Sequence, residues 1–404
     1  MKLLSKYLYS AGALLVVATP FIHLSAAPLP APFDNLGKDF LVVSATAKFD
    51  YNSNVLSSPG GATKFDDFIM TVNPGIKLEY GANTDNDVTF NYTESFLRYY
   101  RHPSLNEELS NVGLTYARKQ GEVSFNAGAT YVQNYNNTPS AVSPTLTSII
   151  RYDTYTLNGN ATWNYSEVLN FGAGLGFAQN HYLYTVGRAF QDSDTYTIPL
   201  NGYYVFSPTL SLGAGYTYSQ TDNKNSSAPF SQGRERESNT VSFNAKLTSW
   251  QNLSGTANVG VTENEIQAIP GIPSLTTTTI SYGMALDYAY SQKVTVSLDG
   301  NRGFSTGTQG QNIETTSISL GSTYNYSDSL KFVANFLGYT YSQYLQSTPT
   351  RNDNTYTSGI TVSWTPSWDW LTLSAGYTYF MNSSTAPNAT YNINVITVSA
   401  SIKY

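Results

Sequence analysis

The sequence predicts an all-β fold, a transmembrane antiparallel up-and-down β-barrel of about 18 strands. Three observations carry that prediction. Apolar and small polar residues alternate at period two along most of the chain. A short aromatic-and-serine word returns every 36 to 43 residues, with its aligned positions at Ser166, Ser207, Trp250, Ser291, Ser327 and Ser367. Charged residues are only 12% of the 404, while aromatics reach 14%, with 33 Tyr. A chain wetted mainly by Ser, Thr, Asn and Gly is suited to an outer surface that does not face water.

The N-terminus comes first. Lys2 and Lys6 precede an apolar run from about Leu8 to Val17, and small residues follow in Leu24-Ser25-Ala26-Ala27. That order is a secretory signal peptide, with cleavage expected after Ala26. The run is short and is broken by Pro20, which argues against a membrane anchor. Residues 27–40 read as a Pro-rich lead-in, and 41–404 as the barrel.

Within 41–404 the alternation is explicit. Leu210, Leu212, Ala214, Tyr216 and Tyr218 share one face, and Ser211, Gly213, Gly215 and Thr217 the other. The same pattern holds in 169–177 and 371–379. Eighteen such segments follow one another, starting at 41–54 and 66–80 and ending at 369–381 and 390–404. Connections after even segments are short, and those after odd segments are mostly longer, as in 55–65, 136–149 and 222–236. Short turns on one rim and long loops on the other is the layout of outer-membrane barrels.

The recurring word then has a meaning: one hairpin per 40 residues or so, with the word at the short-turn rim. Trp163 and Tyr165, Tyr204 and Phe206, Tyr288 and Tyr290, and Tyr324 and Tyr326 form one aromatic girdle there. Serine makes the turn, and the next apolar residue re-enters lipid. Tyr216, Tyr218, Tyr377 and Tyr379 are candidates for the opposite girdle. Leu210 to Tyr218 spans about 20 Å of height for a strand tilted by about 40°. Pro74-Gly75 lies inside the second segment, where a missing donor predicts a bulge or local break.

Charges on the polar face are candidate pore-lining residues: Lys48, Asp50, Lys77, Glu79, Lys246, Asp287, Asp299 and Lys331. Four are positive and four negative, which predicts weak ion selectivity. The alternative is that Lys48 with Asp50, and Lys77 with Glu79, pair and stiffen the wall. Loop 136–149 is polar and uncharged; it either folds inward as a constriction or stands on the surface. Arg234-Glu235-Arg236-Glu237 is either a solvated rim or a contact for lipopolysaccharide phosphates.

Several functions are disfavoured. A net charge of −6 offers no basic patch for nucleic acid. Without Cys there is neither a disulfide scaffold nor a thiolate metal site. His102 and His181 are the histidines beyond the signal segment, and neither sits in a sequence arrangement that suggests a nucleophile and base. No enzyme activity, cofactor or metal is expected.

The chain closes on NVITVSASIKY, with Ile396, Val398, Ala400, Ile402 and Tyr404 in alternation. This resembles the C-terminal assembly signal of Gram-negative outer-membrane barrels, although that pattern prefers Phe where Tyr404 stands. The resemblance implies the barrel assembly machinery as a partner. SATAKFDYNSNVLSS (44–58), DDFIMTVNPGIKLEYG (66–81) and NDVTFNYTESFLRYY (86–100) resemble the beta-barrel porin 2 family. That resemblance implies the cell outer membrane, with lipid and lipopolysaccharide around the barrel, and some relatives sit near exopolysaccharide genes. Two functions stay open: a porin-like channel for passive diffusion of small hydrophilic solutes, saccharides among them, and a non-conducting anchor barrel or partner in exopolysaccharide export. Oligomeric state is not legible.

Overall fold

Strands form here because β-branched and aromatic residues occupy every second position with small polar residues between them, a pattern that suits a pleated wall with two unlike faces. In the computed structural model the described residues are 40–58, 64–81, 84–136, 150–183, 190, 192–224, 235–268, 273–307, 311–345, 351–368, 370–387 and 389–404. The expected signal peptide, nearly all of the lead-in and residues 137–149 of the loop expected at 136–149 lie outside them.

Eighteen strands follow in order. They are β1 (Leu41–Asn52), β2 (Asp67–Tyr80), β3 (Asn86–Tyr99), β4 (Glu107–Gln120), β5 (Val123–Asn136), β6 (Ile150–Asn164), β7 (Leu169–Tyr182), β8 (Ser193–Ser207) and β9 (Leu210–Asn223). Then come β10 (Glu235–Trp250), β11 (Leu253–Ile266), β12 (Leu275–Ala289), β13 (Val294–Thr306), β14 (Asn312–Asn325), β15 (Leu330–Tyr344), β16 (Arg351–Trp364), β17 (Leu371–Ser384) and β18 (Tyr391–Lys403). Each pairs antiparallel with its chain neighbours, and β1 pairs with β18, so the sheet closes. The count and alternating connection lengths agree with expectation. Most strand ends fall within two residues of it.

The turn chemistry is visible. Ser166 Oγ accepts the Leu169 N–H at 3.1 Å, Ser291 Oγ that of Val294 at 3.1 Å and Ser327 Oγ that of Leu330 at 3.1 Å. Each serine thus satisfies the first donor of the returning strand. The girdle residues Trp163, Tyr165, Tyr204, Phe206, Tyr288, Tyr290, Tyr324 and Tyr326 are all exposed. Tyr324 stacks on Phe332 of the next strand, and Trp163 makes an edge contact with Tyr165. The outward residues of β18 (Ile396, Val398, Ala400, Ile402 and Tyr404) share one face, and Tyr404 exchanges two 2.8 Å backbone bonds with Val43.

Proline acts as a break rather than a bulge. β1–β2 pairing runs unshifted through Pro74 and Gly75. On the β3 side, pairing lapses between Val72 and Gly75 and resumes in the same register. Pro199 in β8 does the same between Ala173 and Gly176 of β7. The missing N–H removes a ladder bond without inserting a residue. A bulge unforeseen from sequence occurs in β15: Leu320 faces Leu337, while Gly321 faces Asn335. Phe336 is the extra residue, and the alternation changes phase there.

Candidate functional site

The barrel encloses a lumen, and the register assigns its lining. On β1 the inner residues are even-numbered, on β2 odd-numbered, and the pairings carry that phase around the wall. All eight charged candidates fall on the inner face. Lys48 and Asp50 pair at 2.7 Å, and Lys77 pairs with Glu79. Both pairs form along a single strand, between residues two apart. Asp50 also accepts a bond from Thr397 Oγ1 at 2.6 Å. Lys246, Asp287, Asp299 and Lys331 have no ion pair among the described residues. Asp287 accepts a bond from Ser297 at 2.5 Å, and Asp299 a long one from Ser319 at 3.3 Å.

The lumen differs around its circumference. Along β1–β5, the long-loop end is filled. Residues 53–58 turn inward, and Val55 and Leu56 pack against Ile69, Leu97, Tyr99 and Leu109, with Phe65, Leu105 and Tyr135 beside them. Asn54 is fully buried and holds this turn. Its Nδ2 donates to Ser58 O at 2.8 Å and to Asn392 O at 3.0 Å, and its Oδ1 accepts the Ser58 N–H at 2.9 Å. Ser53 N–H adds a 3.0 Å bond to Asn394 O. The cluster excludes water because its inner-facing side chains are apolar and cover one another. Loop 53–58 is therefore an inward loop that sequence reading did not single out.

Along β9–β14 the lumen is hollow. A cavity of about 860 Å³ is lined by hydroxyl and amide side chains, including Ser238, Thr240, Asn258, Ser281, Asn301 and Ser319. Arg236 also lines it, donating to Thr221 Oγ1 at 3.3 Å. Glu235 and Glu237 lie on the opposite, outer face. Glu235, Arg236 and Glu237 of the acid-base run are thus split between the two faces by strand alternation, and Arg234 lies outside the described residues. Tyr203 points inward on β8, and its ring covers Gly213, where a Cβ would sit 2.7 Å from it.

Other charges organise the long-loop end. Arg351 and Asp353 form a buried pair at 2.6 Å, with Tyr344 in cation–π contact at 4.4 Å. Ser384 Oγ donates to Asp353 at 2.5 Å. Arg101 pairs with Asp66 at 2.6 Å. Burial would raise the Asp66 carboxyl, but hydrogen bonding to and the charge of Arg101 outweigh it and hold the group below its ordinary value. Lys224 pairs with Asp194 at 2.5 Å, and that hydrogen bond raises the ammonium's pKa. Both histidines contact aspartates: His102 bonds Asp67 at 2.9 Å and stacks on Phe65, and His181 bonds Asp192 at 2.8 Å. They tie loops to strand ends. Among the described residues no group of three His, Asp or Glu side chains is placed to hold a metal.

No family model and no curated protein matches the sequence. The chain is similar in architecture to solved outer-membrane barrels at very low identity. The ferric citrate transporter FecA in its unliganded form is 9% identical, with a TM-score of 0.47 over 90% of this chain and 78% of that one. OpdK of Pseudomonas aeruginosa with vanillate is 10% identical, at 0.48 over 91% and 99%. The FrpB iron transporter of Neisseria meningitidis is 9% identical, at 0.48 over 92% and 82%. Similarity at this level transfers no residue role and no substrate to the chain.

Proposed function

We propose that this protein is an outer-membrane channel through which small hydrophilic solutes diffuse passively. One observation carries the reading: a closed barrel with an aromatic-flanked apolar exterior holds a hollow inner arc of Ser, Thr and Asn. An 18-stranded barrel has room for an aqueous path beside side chains of that size. Hydroxyl and amide walls replace some of a polar solute's hydration without binding it tightly. The outward faces (Val241 and Phe243, Val259 and Val261, Ile396 and Val398) suit lipid. The beta-barrel porin 2 likeness of residues 44–100 supports the same location, and the alternation ending at Tyr404 supports insertion by the barrel assembly machinery. The pore-lining roles of Lys246, Asp287, Asp299 and Lys331 belong to this proposal.

A second reading has its own observation. The apolar cluster around Val55 and Leu56 blocks one side of the long-loop end. A barrel closed there would serve as an anchor or an export partner rather than a channel. Single-channel conductance of the refolded chain in a planar bilayer, over a salt series, separates the two. Steady steps with weak ion selectivity are expected. A heat-modifiable, inserted barrel that passes no current would overturn the channel and leave the anchor.

A further inference from the structure

The wall is not paired to the same height everywhere. β12 and β13 are bonded from Ala289↔Thr295 up to Tyr282↔Arg302, and no further. Above that level β12 remains paired to β11 through Ile266↔Leu275, and β13 to β14 through Thr306↔Asn312. The β12 edge from Leu275 to Ser281 and the β13 edge from Gly303 to Thr306 therefore face each other with no ladder between described residues.

A second short ladder is a useful control. β4 and β5 part above Asn111↔Val132. There, side chains take over the freed backbone groups. Gln133 Oε1 accepts the Ser110 N–H at 3.0 Å, Arg151 donates to Glu108 O at 3.3 Å, and Arg98 donates to Glu107 O at 3.2 Å. That gap is sealed. At β12–β13 the bridge involves side chains alone: Thr279 Oγ1 donates to Glu314 at 2.8 Å, and Arg302 pairs with the same carboxylate at 2.6 Å.

The bridge itself crosses the wall. Thr279 lies on the inner face, in phase with Ser281 and Gly283. Glu314 lies on the outer face, in phase with Ile318. A direct bond between an inner and an outer residue needs the backbone between them to stand aside.

Height decides what the opening meets. Tyr282 lies six residues above the girdle residue Tyr288, or about 15 Å for a strand tilted by about 40°. The apolar band of such barrels is about 25 Å tall, so the gap begins inside it. Unpaired N–H and C=O groups facing hydrocarbon cost several kcal/mol each, and open edges are tolerated only where water reaches them. Water is at hand, because Ser281, Asn301 and Asp299 of the hollow arc lie beside the gap.

We propose that the upper β12–β13 seam is a lateral port joining the lumen to the bilayer. This rests on the membrane-channel reading above. Its inner lip is polar, with Asp299 as an acceptor, and its outer side combines the exposed Ile280 and Ile318 with the Arg302–Glu314 pair. It suits an amphiphile with a hydrogen-bond-donating head and one apolar chain. The head stays with the inner lip while the chain leaves through the wall.

The test uses the absence of Cys. Gly303→Cys places a thiol on the inner face where a Cβ would meet nothing within 4 Å. Ser305→Cys is the second site, and Ser317→Cys, an inner residue paired on both sides, is the sealed-wall control. Each is labelled with a fluorophore in the full chain inserted in nanodiscs. A lipid-dissolved quencher should act at 303 or 305 at least about threefold more strongly than at 317. Equal quenching at all three sites in inserted protein overturns the port alone. Failure to insert overturns the membrane reading and the port with it. Decylamine should also slow reaction of the Gly303→Cys thiol with a water-soluble maleimide by about threefold, which methylamine should not do. Equal protection by both amines, or none, overturns the amphiphile assignment.

Discussion

The β1–β5 arc and the β9–β14 arc belong to one closed sheet, yet they treat the lumen in opposite ways. In the first, inner charges are paired along their own strand and the upper end is packed with Val55, Leu56, Leu97 and Leu109. In the second, the inner charges Lys246, Asp287 and Asp299 have no ion pair among the described residues, and the wall is Ser, Thr and Asn around a cavity. The difference shows that strand number sets the size of a barrel but not of its passage. A single inward turn at 53–58 converts the β1–β5 side of the mouth into something like a soluble protein core. Lower on the β9–β14 side the inner wall stays polar, with Ser238, Thr240, Asn258, Ser281 and Asn301 around the cavity.

The sharpest way to break this contrast is to empty the packed arc. Val55→Ala with Leu56→Ala should cost about 3–5 kcal/mol in a denaturant titration of the inserted barrel, because both side chains are almost fully buried. Conductance should rise as the mouth widens. Asn258→Ala on the hollow arc should leave stability nearly unchanged. Next comes the hinge of the inward turn. Asn54→Ala removes three bonds made by a fully buried amide and should cost about 2 kcal/mol, with open-channel current becoming noisier. If current and stability match the unaltered protein, loop 53–58 is not held by Asn54.

Charge gives a smaller effect. Replacing Lys246 and Lys331 with Ala should move the reversal potential toward cation preference, by about twofold in permeability ratio. Lys77→Ala should shift it less, because Glu79 already offsets that charge. The smallest effect is expected at the rim. Lys224→Met should cost only about 0.5 kcal/mol near neutral pH, since the pair with Asp194 is largely exposed on the lysine side. The pKa of Lys224 is raised in the folded state. Its contribution is therefore complete below about pH 10.4, the ordinary lysine value, and fades as pH rises through the higher folded value. Unfolding free energies of the two proteins should converge at the alkaline end of a pH series.

Much of this was legible in the sequence. Period two fixes which face a residue occupies, so the girdles, the inner charges and the outward face of the last strand follow from counting. The serine turns were readable because the turn chemistry is local. What was missed depends on partners far apart in the chain. Ile69, Leu97, Tyr99 and Leu109 are apolar residues at inner positions, and their breach of the alternation was the available sign that something would cover them. Val55 and Leu56 supply the cover, but a loop does not announce which wall it will meet. Arg351 and Asp353 lay at a strand end misplaced by two residues. The Phe336 bulge was hidden because alternation on each side of it looks regular by itself. The β12–β13 gap left one sign that was passed over: Thr276, Thr278 and Arg302 stand at outer positions where apolar residues are expected.

The closing pair of strands has a consequence for time rather than space. Ala45 faces Ile402, and Thr46 bonds Ser401 across 355 positions of sequence. Every other neighbouring pair is a local hairpin, able to form as soon as its two strands meet. Contacts that far apart carry the greatest loop-closure entropy and the slowest formation. Zipping should therefore proceed hairpin by hairpin and wait at its last step, with two open edges, until the first and final strands find each other.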